Sequence, residues 1–390
     1  MVLEFFRAKT VAPEAAKASA VAPVVAFHGS GRVAWSPRDP VSLTRSGFVG
    51  NPVGFRCVKM IAEAAAAVPH VLQDAERRYD AHPLLELLKR PNPAQTGAEL
   101  LENFYGQLML AGDGYLEAAG ADNSGAPREL YVLRPDRMKV IPGDDGWPVA
   151  YEYAAGGRKH RFDMRQERPP VLHVRCFHPQ DDHYGLSPMQ AAASALDVHN
   201  SASRWSKALL DNSARPSGAI VYRGADGQGS LAADQYDRLV DELESHHQGA
   251  RNAGRPMLLE GGLDWKPMGF SPSDMEFHRT KEAAAREIAL AFGVPPMLLG
   301  LPGDNTYANY QEANRAFFRL TVLPLASKVL AAVSGWLPGA WDDELVLGAD
   351  LDGVTALASE REAQWRRIAS AGFLSDSEKR KLLGFPAGPE

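Results

Sequence analysis

His173, His178, Asp181, Asp182 and His183 crowd into the stretch "HVRCFHPQDDHYGLSP" and are the residues best suited to chemistry. Imidazole nitrogens and carboxylate oxygens this close together could chelate a divalent ion and activate water for hydrolysis. The competing reading is a polar loop entering a helix at Ser187, with its carboxylates near the positive end of the helix dipole, and the sequence favours it. Asp144-Asp145 and Asp342-Asp343 sit among turn residues and read as solvated. No GxxxxGK[ST], HExxH, GxSxG or CxxC occurs. The absent phosphate loop argues against an ATP-driven motor in this chain. The favoured reading therefore has no catalytic residue, no metal and no cofactor, with a metal-dependent hydrolase or a monomeric scaffold or adaptor as the alternatives.

Cations are the next candidates. "HRTKEAAAR" places Arg279, Lys281 and Arg286 on one predicted helix, and Arg204 and Lys207 fall on another. A solvated face is the ordinary reading; the sharper one is positive charge facing a DNA-bearing channel or an acidic neighbour. The chain as a whole carries a formal charge of −6 with a pI near 6.0. Avid DNA binding comes from neutralising phosphates, so this balance excludes a protein that grips DNA while allowing DNA to pass close by. "GDNTY" (Gly303–Tyr307) is either a plain connection between helices or a loop presenting small polar groups to a passing polymer. An acidic helical run holds Asp234, Asp237, Arg238, Asp241 and Glu242.

These residues need elements to position them. Two long helical patterns bracket a compact insert. The first opens at Ser187-Pro188, a cap and a first-turn proline, and shows an apolar stripe of Val198, Ala202, Trp205 and Leu209. The second opens at a Ser273/Glu276 capping box, has the stripe Phe277, Ala284, Ile288 and Ala291, and stops at Gly293. Stripes this narrow fit a wall of helices meeting a few neighbours, some from other subunits, better than a thick core. The insert between them predicts a strand "GAIVY", a helix from Leu231 to about His246, and strands "RPMLLE" and "LDWKPM".

A chain of 390 residues predicts two or three domains. Residues 1–45 read as a flexible segment with one docking strand near Val24–Phe27, and order is expected from Asn51. A helix with Val58, Ile61, Ala62 and Ala65 inward, a strand "VPHVLQ", a short helix ended by Pro91 and Pro93, and a helix opened by a Thr96/Glu99 capping box follow. Tyr115–Val174 alternates short β-type runs with turns, an antiparallel section of an α+β domain. After Gly300, a helix from Tyr310 to Val333 is expected to kink at Pro324, and two short helices, Ser359–Ser370 and Ser375–Leu383, close the chain. Cys57 and Cys176 read as reduced structural thiols. No apolar run is expected to span a membrane, and the N-terminus shows no signal-peptide pattern.

Taken in order, "HPLLELLKRPNP", "LMLAGDGYLE", "LRPDRMKV", "YGLSPMQAA", "DNSARPSGAIVY", "AGRPMLLEGGLDW", "REIALAFGVPPMLLG" and "TYANYQEANRAFF" resemble the phage portal protein family of long-tailed double-stranded DNA phages. The chain is most similar to the short portals of gene transfer agents, over about Asn51–Gly384. The resemblance implies a mixed α+β wing over 46–186, stem helices over 187–215 and 272–293, and a small α+β clip over 216–271. It further implies a tunnel loop and wing helix over 294–345 and a short helical crown over 346–390, behind the 1–45 segment.

It implies a dodecameric ring at a capsid vertex, made in the host cytoplasm and housed in a virion or phage-like particle. Its partners would be copies of itself, capsid protein, the terminase motor, a head–tail adaptor and double-stranded DNA passing non-specifically, with no membrane. Gly303, Asp304, Asn305, Thr306 and Tyr307 would line the channel, with Arg204, Lys207, Arg279 and Lys281 as possible lumen cations. Asp234, Asp237, Arg238, Asp241 and Glu242 of the clip would meet terminase and adaptor. Twelve copies at −6 each would carry roughly −72, a field that keeps a polyanion from adsorbing.

Overall fold

The computed structural model describes residues 35–121, 125–211, 218–222, 234, 237–238, 241, 263–267, 277–302, 306–337, 340–341 and 345–386. The chain divides into two units: Trp35–Ala208 with Pro272–Glu390, and Met1–Ala34 with Leu209–Ser271.

In the larger unit, Asp39 caps α1 (Pro40–Leu43), which runs into a π-helical turn, Thr44–Val49. Ser36 is tied to the Asp197 carboxylate through its N–H (3.0 Å) and its hydroxyl (2.5 Å). Order thus begins well before Asn51, and residues 35–45 are not the flexible segment expected. The cause is a bond to a residue 161 positions away, which no local pattern shows. The expected strand near Val24–Phe27 lies outside the described residues.

Asn51 caps α2 (Pro52–Ala66) by accepting the Val53 and Gly54 N–H groups, and the predicted stripe Val58, Ile61, Ala62 and Ala65 is buried. Helix α3 (Pro83–Lys89) precedes α4 (Gly97–Ala111), which opens with the predicted Thr96/Glu99 capping box and lies along α2. Ile61, Leu84, Leu100, Phe104 and Leu108 are fully buried between them. Each such side chain contributes roughly 1.5–3 kcal/mol of transfer free energy.

Among the described residues, three small antiparallel sheets complete this unit. The predicted strand becomes β1 (His70–Gln73), flanked by β2 (Arg78–Tyr79) and by a strand from far along the chain, Val346–Ala349. That distant strand therefore joins the sheet instead of opening a purely helical C-terminal segment. The expected β-rich section forms two sheets. One orders β4 (Glu129–Leu133), β3 (Asp113–Ala119) and β8 (Val171–Arg175); the other orders β5 (Met138–Pro142), β6 (Pro148–Ala155) and β7 (Arg158–Asp163). The class is α+β, as expected.

The first long helix is broken near its start into α5 (Pro188–Ala191) and α6 (Ala193–Asp211). The second is α7 (Phe277–Phe292). Then α8 (Tyr307–Phe317) passes through a π turn, Phe318–Val322, into α9 (Leu323–Trp336). Pro324 lies just past that turn; the wider π spacing accommodates a residue that offers no N–H. Ala308–Trp336 is long and apolar enough to cross a membrane, contrary to expectation, but Val322, Ala326, Val329, Leu330 and Val333 lie in the core. The closing helices, α10 (Ala358–Ala369) and α11 (Asp376–Leu383), match the sequence expectation within a residue. The Arg78 guanidinium stacks 3.8 Å from the Phe385 ring and pins this end down.

In the smaller unit, β9 (Gly218–Tyr222) pairs antiparallel with β10 (Leu263–Pro267), Ile220 opposite Trp265. "RPMLLE" lies outside the described residues.

Candidate functional site

The histidine–carboxylate stretch does not converge. His173 sits on β8 with its ring buried; its Nε2 is 2.8 Å from Asp113 Oδ1, its Nδ1 is 3.3 Å from the Tyr151 hydroxyl, and it stacks on Tyr115 at 4.2 Å. Asp181 turns the other way and accepts the His183 and Tyr184 N–H groups at 2.8 and 2.9 Å. Those bonds, the His183 one first, hold its carboxyl below the usual range. His178 Nδ1 accepts the Gln180 N–H, and Arg175 donates to the Asp182 carbonyl. Among the described residues no three His, Cys, Asp or Glu side chains are placed to hold a metal ion. In this arrangement the stretch is a polar loop that leads into the helix at Ser187.

What the stretch builds is a joint. Asp113 Oδ1 also accepts the Gly185 N–H at 3.0 Å, and the Cys176 N–H donates to the Gly112 carbonyl at 2.7 Å. A side-chain carbon on Gly185 would fall 2.0 Å from the Gly112 oxygen; one on Gly112, which has φ of +81°, would fall 2.4 Å from the Gly185 oxygen. Two glycines let "GDG" and "YGLSP" touch backbone to backbone. Two residues on, Ser187 accepts the Gln190 N–H at 2.9 Å and caps α5. The chain thus enters the first long helix from a fixed, desolvated anchor. Sequence reasoning missed Asp113, Tyr115 and Tyr151; a buried carboxylate in the alternating strand "DGYLEAA" was the available signal.

The long helices differ in detail from expectation. On α6 the buried residues are Ala193, Ala195, Leu196, Asp197, His199 and Ala202, while Val198 and Trp205 are only half-buried. Of the predicted stripe only Ala202 is on the core side; the Leu209 side chain lies outside the described residues. His199 and Asp197 disguised that side, because each carries a polar group satisfied by a distant partner. Asn51 Nδ2 lies 3.0 Å from His199 Nδ1 and donates to Asn200 at 2.8 Å. On α7, Ala284, Ala285, Ile288, Ala289 and Phe292 are buried, so the stripe there is close to that expected, with Ala291 half-buried. Gly293 ends the helix with φ of +66°. The Ser273/Glu276 box and the Phe277 side chain lie outside the described residues.

Of the candidate lumen cations, Arg204, Lys207 and Arg279 are exposed, Arg204 donating to Ser201 at 3.1 Å. Lys281 is half-buried, and its charge helps hold the His199 pKa below its ordinary value, after burial. Gly303, Asp304 and Asn305 lie outside the described residues. Thr306 caps α8 by accepting the Asn309 N–H, so Tyr307 is the first helical residue and not part of the loop. Arg286 donates to the Pro302 carbonyl and holds the near end of that loop to α7. Asp234, Asp237, Arg238 and Asp241 are helical and exposed, with Arg238 bonded to Asp234 at 3.2 Å; Glu242 lies outside the described residues.

The described residues thus combine small antiparallel sheets with two long helices and an inserted strand pair. Residues 52–384 match the phage portal protein family, and the chain belongs to it. An uncharacterized protein of Rickettsia bellii is 41% identical over 86% of this chain and 87% of its own length. The portal protein of Enterobacteria phage HK97 is 24% identical over 86% of this chain and 78% of its own. Among solved structures, a chain in the neck of an empty gene transfer agent particle is 69% identical, with TM-score 0.71, covering 92% of this chain and 96% of that one. An HK97-family portal protein from Corynebacterium diphtheriae shares the fold at 13% identity and TM-score 0.56, covering 83% of this chain and 99% of that one.

Proposed function

We propose that the chain forms a closed ring at one vertex of a phage-like particle, through which double-stranded DNA is packaged and later ejected. The observation that supports this most is its 68% identity, over 92% of its length, to a chain in the neck of a native gene transfer agent particle computed with twelvefold symmetry. In this reading, residues 46–186 with part of 294–345 are the wing, 187–215 and 272–293 the stem, 216–271 the clip and 346–390 the crown.

The chain does no chemistry itself. It holds a path open, and its net charge of −6 keeps a polyanion sliding instead of bound. The exposed Arg204, Lys207 and Arg279 act as weak, repeated contacts. The loop at Gly303, Asp304 and Asn305 lines the narrow part of the channel, and the acidic clip helix docks the terminase and then the adaptor.

Removing the gene and measuring nuclease-protected DNA in purified particles tests this. Heads without DNA and without tails are expected, restored by the gene in trans. Filled, tailed particles from the deletion would reject it.

A further inference from the structure

We propose that the β6–β7 ribbon and the turn beside it form a contact site for the phosphate backbone of duplex DNA. The inference goes beyond the ring reading, and its test on the purified chain does not need a ring. β6 and β7 are joined by Gly156 and Gly157, whose φ of +56° and +76° suit a two-residue hairpin turn. A side-chain carbon on either glycine would meet nothing within 4 Å, so the tip stands clear of the other described residues. β5 pairs with β6 only as far as Tyr153, opposite Met138. Beyond it, Lys159 stands across from Ala154 and Arg158 across from Ala155.

Arg158, Lys159, His160 and Arg161 are all exposed. So are Lys139 on β5 and Arg137 in the turn Pro135–Arg137, which runs beside β6. The neighbouring carboxylates do not cancel these charges. Glu152 is taken by Lys159 at 2.8 Å, and Asp136 by Arg134 at 2.7 Å. Asp163 holds Arg165 at 3.2 Å. Glu117 on β3, which feels the His160 ring, is half-buried, and burial pushes its pKa up. Asp144 and Asp145 lie at the opposite end of β6, in the turn before Pro148. Arg137, Lys139, Arg158 and Arg161 form no ion pair or side-chain hydrogen bond among the described residues.

Free cations clustered on one ribbon fit a polyanion, because each one neutralises a phosphate and releases a counterion. A protein partner would need an apolar or aromatic anchor at the centre of the contact. Across from Arg158 and Lys159 stand only alanines, with two glycines at the tip. The chain's net charge of −6 keeps such a contact weak and local. Charges on an edge strand also discourage the addition of further strands, and the experiment separates the two roles.

The purified full-length chain is titrated with a short labelled DNA duplex of mixed sequence over a range of salt concentrations. Weak binding that falls steeply with salt is expected, with Kd on the order of 10⁻⁵ M near physiological salt. Arg158→Ala with Arg161→Ala should weaken low-salt binding at least about fivefold and flatten the slope of log affinity against log salt by about two, since each phosphate contact contributes about 0.9. Arg158→Lys with Arg161→Lys should stay within about twofold of wild type, because lysine also neutralises a phosphate. Circular dichroism should be unchanged in both pairs. Wild-type affinity and slope in the alanine pair would overturn the assignment. Aggregation of that pair with unchanged DNA affinity would overturn it too, as the result expected if these charges only guard an edge. Poly-glutamate bound more tightly than the duplex at the same salt would overturn it in favour of an acidic protein partner.

Discussion

At the scale of single residues, the joint between "GDG" and "YGLSP" decides where the first long helix begins. Asp113→Ala would strand the His173 ring and the Gly185 N–H in a dry site, both now bonded to one carboxylate oxygen. A loss of about 2–4 kcal/mol is expected, read from urea midpoints at unchanged slope. Gly112→Ala meets both a positive φ and an oxygen 2.4 Å away, so it should lower the midpoint by a similar amount. Neither glycine's role could be read from the sequence, because each is explained only by the other.

His199 gives a pH prediction. Burial first, and the Lys281 charge second, hold it below its ordinary pKa. The unfolded chain therefore takes up the proton first, so stability is complete above about pH 6.5 and falls as pH drops through the lower folded value. His70, also depressed by burial, adds in the same direction. Melting temperature should fall between about pH 7 and pH 5, and His199→Gln should flatten that slope. An unchanged slope would mean that the ring is not the group that titrates.

At the scale of elements, legibility followed the range of the interaction. The caps at Asn51, Thr96, Ser187 and Ser375 are patterns of a few residues, and each of these four helices starts where its cap lies. The core side of α6 was misread because Asp197 and His199 belong to it through Ser36 and Asn51, partners more than a hundred positions away. The strand at Val346–Ala349 was missed for the same reason: it exists only by pairing with β1. Of the candidate site, the cations and the acidic helix were visible as composition, whereas the end of the loop before Tyr307 needed the Thr306 cap.

Deleting Gly303, Asp304 and Asn305 should leave rings intact and reduce packaged DNA; normally filled particles would reject the tunnel-loop assignment. Replacing the exposed Asp234, Asp237 and Asp241 of the proposed clip with lysine should weaken terminase or adaptor binding without touching ring formation. Unchanged affinity for both partners would reject the clip assignment.

At the scale of the whole molecule, the separate features agree. The larger unit keeps exposed apolar surfaces on different elements, and the net charge disfavours holding nucleic acid. A closed ring would use both. The most direct measurement is an electron cryomicroscopy reconstruction of the native particle's neck, made without imposed symmetry. The expected result is this chain repeated around a closed ring, in line with the twelvefold neck of its 68%-identical relative, with the genome's path along the axis. Density for a single copy of the chain, set away from that path, would contradict the proposed function.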